Sequence, residues 1–131
     1  MEEGLAKGAS KKGKAAVAEI IGVMFMSRTY AHMAHLKTGS FSQHKALNEF
    51  YDGVVDLADS LAEASQGLFG RLDIPFVDMM DSVTEPIKGI ESQAAKIKQL
   101  GSTCSEPYLG SILQEIEALY RKTLYKLTQL S

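Results

Sequence analysis

Apolar side chains that recur every three or four residues over most of the chain are the feature that most limits its fold. This spacing is typical of α-helices with one buried face, and no stretch shows the two-residue alternation of a half-buried strand. It predicts four main helical segments, over about 15–36, 41–67 and 85–100 and from Ser105 to near the chain end. Long helices with short connections favour an all-α fold, an antiparallel four-helix bundle.

Local signals divide the chain further. Ser40 and Gln43, three residues apart, have the form of a capping box at the start of the second helix. Pro75 and Pro86 cannot lie inside a helix but fit a first turn. The third helix is therefore predicted to be broken, with a short helix near Pro75 followed by the longer segment over 85–100.

The N-terminal segment differs in composition from the rest. Residues 1–14 carry three glycines and four lysines beside two acids and have little to bury, so they predict a flexible lysine-rich tail before a helical domain over 15–131. The tail is interpreted either as a solubilising segment or as a binder of DNA phosphates. Its lysines are Lys7, Lys11, Lys12 and Lys14.

Composition limits the function classes. A chain of 131 residues with 45% hydrophobic content can build one core, and a net charge of -2 argues against a general polyanion binder. The single cysteine, Cys104, cannot form an internal disulfide, and no secretory signal is seen at the start, so a reducing cytoplasm is expected. The longest apolar run is too short to span a membrane.

The second helix carries polar residues that raise the question of a metal site. His44, Asp59 and Glu63 fall within about 100° of one another around the helix, on the side away from its apolar face. His44 and Asp59 are 15 residues apart, or roughly 22 Å along the axis, whereas metal ligands lie about 2 Å from the ion. One chain therefore cannot bring both residues to one metal.

Two copies could do so. Antiparallel pairing of two second helices would place His44 and a first-helix histidine of one subunit beside Asp59 and Glu63 of the other. His32 and His35 share one helix face, so either is a candidate for the first-helix ligand. Imidazole with carboxylate suits iron, zinc or manganese. The alternative interpretation of the acidic face is a solvated helix surface.

The motif resembles that of a known family. The spacings from His32 to His44, to Asp59 and to Glu63 are similar to those of the Dps family, ferritin-like DNA-binding proteins from starved cells. The segment "HLKTGSFSQHKALNEFYDGVVDLADSLAEASQG" is also similar to small Dps-like proteins of tailed phages, in which His35 heads the motif. The resemblance implies a ferritin-like bundle.

The resemblance further implies a homo-oligomer that oxidises Fe(II) to Fe(III) at inter-subunit sites, with the tail as a possible DNA contact. It places the protein in the cytoplasm, or in a virion if a phage encodes it. The competing hypothesis is a non-enzymatic structural or interaction protein, for example of a phage particle with virion proteins as partners, that retains the fold.

Overall fold

The computed structural model describes the backbone of residues 2–79 and 84–130, and the side chains of residues 11–79 and 84–130. These residues form four helices and no strand, which confirms the all-α prediction. The helices are α1 (Glu2–Lys37), α2 (Phe41–Phe69), α3 (Pro86–Gly101) and α4 (Pro107–Gln129). Within the described ranges, no helix has both the length and the apolarity needed to cross a membrane.

The helices pack as a bundle in which each has two neighbours. Helix α1 contacts α2 and α3, and α4 contacts α2 and α3. Lys126 near the end of α4 pairs with Glu49 near the start of α2 at 3.4 Å, so these two helices are antiparallel. A second ion pair joins Lys96 of α3 to Glu19 of α1 at 3.2 Å. Helices α2 and α3 run in the same direction, so a long connection leads back along the bundle between them. We call its described part, residues 70–79, the crossover.

The core lies between the four helices, to which each contributes the apolar stripe that its sequence predicts. Phe50 of α2 meets Tyr120 of α4 edge to face, with ring centroids 4.9 Å apart. The Tyr120 hydroxyl donates to Ser27 Oγ at 2.8 Å, which links α4 to α1 across the core. Complete burial raises the pKa of Tyr120, so the hydroxyl stays protonated and serves as a hydrogen-bond donor.

The crossover is not helical where the sequence predicted a short helix near Pro75. Residues 70–79 run along α1 without helical structure, and residues 80–83, into which the predicted helix would continue, lie outside the described residues. A β-carbon on Gly22 of α1 would lie 2.4 Å from the Pro75 carbonyl oxygen, so the crossover backbone passes directly over this glycine. The physical reason is the distance along the bundle that this segment has to span. Extended chain advances about 3.3 Å per residue and a helix only about 1.5 Å.

Helix α1 extends through residues 2–14, which the sequence assigned to a lysine-rich tail, and the flexibility of that tail stays a prediction. The helix begins at Glu2, and residues 2–14 continue it without a break. Alanine and lysine favour helix, and extending a helix that is already packed costs far less than nucleating one. Among the residues whose side chains are described, packing is seen from Gly13, where an added β-carbon would lie 3.5 Å from the Phe69 ring at the end of α2.

The turn between α1 and α2 forms only half of the predicted capping box. Ser40 Oγ accepts a hydrogen bond from the Gln43 backbone N–H at 3.2 Å. The Ser40 N–H, which a complete box would pair with the Gln43 side chain, donates instead to Thr38 Oγ1 at 3.1 Å. The cap still ties the first residue of α2, Phe41, to a defined position.

Candidate functional site

Three histidines and a tyrosine gather where the end of α1 meets the start of α2. We call His32, His35, His44 and Tyr51 the histidine junction. The rings of His35 and His44 stack with centroids 3.6 Å apart and planes inclined by 17°. His32 stacks on Tyr51 at 4.2 Å, and its ring lies 5.9 Å from that of His35. His35, only 7% exposed, is therefore the first-helix histidine that faces His44.

The stacked pair is held by two reciprocal hydrogen bonds. His35 Nδ1 lies 2.6 Å from the His44 carbonyl oxygen, and His44 Nδ1 lies 2.8 Å from the His35 carbonyl oxygen. A carbonyl oxygen only accepts, so both Nδ1 atoms carry a hydrogen and donate it. A neutral imidazole has one N–H, so each Nε2 then carries no hydrogen. The His35 carbonyl is one of the last four of α1, which lack partners within the helix. His44 therefore caps α1, and the pair fastens the hairpin.

The stacking limits what the pair can do with a metal. The lone pair of each Nε2 lies in its ring plane, and two nearly parallel planes 3.6 Å apart do not converge on an ion about 2 Å from both nitrogens. Among the residues whose side chains are described, no group of three or more His, Cys, Asp or Glu is placed to hold an ion. As arranged in this chain, the stacked pair joins the end of α1 to the start of α2, and metal binding by the junction stays a prediction.

Asp59 and Glu63 lie elsewhere. Both are exposed on α2, and Asp59 is roughly 22 Å along the helix axis from His44. The fold does not bring these carboxylates to the histidines of the same chain. The structure holds a single chain, so the site between two subunits stays a prediction.

The tail lysines are separated from the junction. Lys11 and Lys12 are exposed on α1 and Lys14 is half-buried, whereas the side chain of Lys7 lies outside the described residues. DNA binding by these four residues stays a prediction.

A groove with a mixed apolar and charged lining was not predicted from the sequence. It has a volume of about 440 Å³ between the start of α2 and the end of α4. Phe41, the first residue of α2, is 78% exposed beside it. We call it the phenylalanine groove, lined by Phe41, Ser42, Lys45, Ala46, Glu49, Lys126 and Leu130. The sequence signal was a large apolar residue directly after a helix cap.

A smaller cavity of about 210 Å³ lies between α3 and α4. Cys104 and Tyr120 are among its lining residues. Partial burial raises the pKa of the Cys104 thiol above its ordinary value. The thiol is thus protonated at neutral pH and a poor nucleophile, which is why this cavity is not the candidate site.

Comparison with known proteins gives two matches. The family described as "Family of unknown function (DUF5856)" matches residues 35–127. An uncharacterized 14.6 kDa protein in the mobD-ri intergenic region of Enterobacteria phage T4 is 29% identical over 123 residues, which cover 91% of this chain and 94% of that protein. No solved structure matches the chain.

These matches correct the resemblance to the Dps family. No Dps or ferritin-like family is among the matches, which are a family of unknown function and an uncharacterized phage protein, so that identification is wrong. The structure shows another use for two of the histidines. His35 and His44 bond reciprocally to each other's carbonyl oxygens and so join the two helices of the hairpin.

Proposed function

The chain belongs to the DUF5856 family, and we propose that it is a non-enzymatic interaction protein that docks a protein partner in the phenylalanine groove. The observation that carries the proposal is the exposure of Phe41 at the start of a capped helix, beside a groove of about 440 Å³. Burying such a ring stabilises a complex by about 1.5–3 kcal/mol, and a partner supplies the cover that the described chain does not.

The histidine junction supports this function by holding the groove in place. The Phe41 ring lies 6.3 Å from the ring of His44, which is in turn bonded to α1. The Ser40 cap fixes the same turn from the other side. A docking surface that is ordered before binding loses less conformational entropy on association. The histidines therefore act as positioning residues for the groove.

The charges at the groove favour a partner with an acidic group beside an apolar side chain. Glu49 is already paired with Lys126 at 3.4 Å. Lys45 is exposed and makes no ion pair within the described ranges. The phage origin of the T4 relative is consistent with a structural or interaction protein.

Photochemical crosslinking tests the proposal. We expect benzoylphenylalanine in place of Phe41 to give a discrete covalent adduct in the cells that naturally make the protein, because the ring lies inside the interface. The matched control is the same replacement of Tyr108, an exposed aromatic residue in the first turn of α4 at the opposite end of the bundle. Absence of an adduct at position 41, or equal adducts at both positions, contradicts the proposal.

A second candidate function is metal binding between subunits. It is favoured by the Nε2 atom that the reciprocal bonds leave available on each ring, of which one ion would bind only one, and by Asp59 and Glu63, which make no ion pair within the described chain. Iron, zinc or manganese suits such ligands. Fe(II) oxidation by oxygen or peroxide is the chemistry that an iron site would add.

Elemental analysis tests this candidate. After incubation with Fe(II), Zn(II) or Mn(II) and gel filtration, we expect metal to stay with the wild-type protein and to be lost from the double variant Asp59→Ala, Glu63→Ala. The control is Asp52→Ala, Asp56→Ala, which removes two other exposed carboxylates of α2. Retention of none of the three metals by the wild type rules the candidate out.

A further inference from the structure

We propose that the partner in the phenylalanine groove is a second copy of this chain, which inserts Phe76 of its crossover. This inference rests on the proposed function and names the partner of the same groove. Phe76 is 81% exposed, the largest exposed fraction among the large apolar side chains described. Ile74, two residues earlier on the extended crossover, is also exposed.

The crossover presents Phe76 from a held backbone. On one side of Phe76, the Pro75 carbonyl lies against Gly22 of α1. On the other side, the Met79 N–H donates to the Tyr30 hydroxyl at 2.9 Å. The intervening Val77 packs against the core, which leaves Phe76 directed outward. An aromatic side chain displayed by an anchored segment is suited to enter a preformed pocket.

Charge complementarity selects this occupant. Asp73, three residues before Phe76, is exposed and makes no ion pair in the part of the chain that the structure describes. Lys45 at the groove is likewise exposed and makes no ion pair with a described residue. The crossover thus presents a carboxylate beside an apolar ring. The groove presents the ammonium group of Lys45 beside apolar side chains. Opposite charges at the rim favour the correct docking orientation and speed association.

The positions of the two surfaces determine the type of assembly. The crossover passes over α1, whereas the groove lies between α2 and α4, and α1 and α4 are not neighbours in the bundle. One chain therefore cannot fill its own groove. Each copy would use one groove and one crossover in a head-to-tail contact, which builds a ring if the rotation closes and a filament if it does not.

A mixing experiment tests this arrangement. The wild type is expected to form an oligomer in solution, measured by light scattering, while Phe76→Asp and Phe41→Asp are each monomeric. Both substituted residues are exposed, so each variant is expected to keep the helix content of the wild type, measured by circular dichroism. An equimolar mixture of the two variants is expected to form a dimer, since one retains the groove and the other the crossover. Leu68→Asp, at an exposed residue near the end of α2, is the control and keeps the wild-type mass.

A charge exchange adds an independent readout. We expect Lys45→Glu to weaken association about tenfold or more, and the further change Asp73→Lys to restore it, because the pair is reversed and not removed. A monomeric wild type, no dimer in the mixture, or no recovery in the charge exchange overturns the inference. Crosslinking at position 41 separates the two proposals. An adduct of twice the 14.3 kDa chain supports both, whereas an adduct with another protein supports the docking function and overturns self-association.

Discussion

Replacement of Phe50 by alanine is expected to lower the free energy of unfolding by about 3–5 kcal/mol. Phe50 is fully buried on the core side of α2 and lies edge to face against Tyr120, with ring centroids 4.9 Å apart. Truncation removes the buried ring and leaves a cavity that the surrounding helices fill only in part. Urea denaturation monitored by circular dichroism measures the change.

The matched control is Phe41→Ala, the same substitution on the same helix. Phe41 is exposed, so the free energy of unfolding is expected to stay within about 0.5 kcal/mol of the wild-type value. The comparison is made at a protein concentration at which the chain is monomeric, because association would also stabilise the folded state. Equal losses for the two variants would contradict the orientation of α2 in the bundle.

Gly22→Ala is expected to lower the free energy of unfolding by about 1–3 kcal/mol or more. The new β-carbon would lie 2.4 Å from the Pro75 carbonyl oxygen, closer than two such atoms approach. The obstacle is backbone and not the end of a flexible side chain, so the crossover itself has to move. The shift would also disturb the anchors of Phe76, and self-association should weaken in parallel.

Gly67→Ala provides the opposite expectation. Gly67 lies in α2, and a β-carbon there meets no atom within 4 Å. Alanine favours helix over glycine by about 0.8–1.0 kcal/mol, so this substitution is expected to stabilise the protein. Thermal and urea unfolding of both variants measure whether each substitution raises or lowers the free energy of unfolding. A gain of stability in both would mean that the crossover does not pass over Gly22.

The helices were predictable because their signals are local. The apolar spacing in α2 and α4 places Phe50 and Tyr120 inside, and Ser40 marks the start of α2. The crossover was not predictable in the same way. Pro75 is compatible with the first turn of a helix as well as with an extended chain, and the distance that the segment has to span depends on the packing of the helices.

The candidate site, too, was predictable from the sequence only in part. The sequence indicated that the histidines lie near the turn and that Asp59 and Glu63 are too far along α2 to join them in one chain. It left His32 and His35 as alternatives, since both lie on one helix face. The choice of His35 as the partner of His44 depends on how the hairpin closes, because the carbonyl that each ring meets belongs to the other helix.

The order of residues was therefore sufficient for the all-α class, for three of the four helix spans to within a few residues and for most of the buried faces, because these depend on neighbours one or two turns away. The stacked histidines, the groove beside Phe41 and the outward direction of Phe76 appeared only in the folded chain. Each of these features joins residues from separate helices or from the crossover, and their distances are decided by packing and not by local spacing.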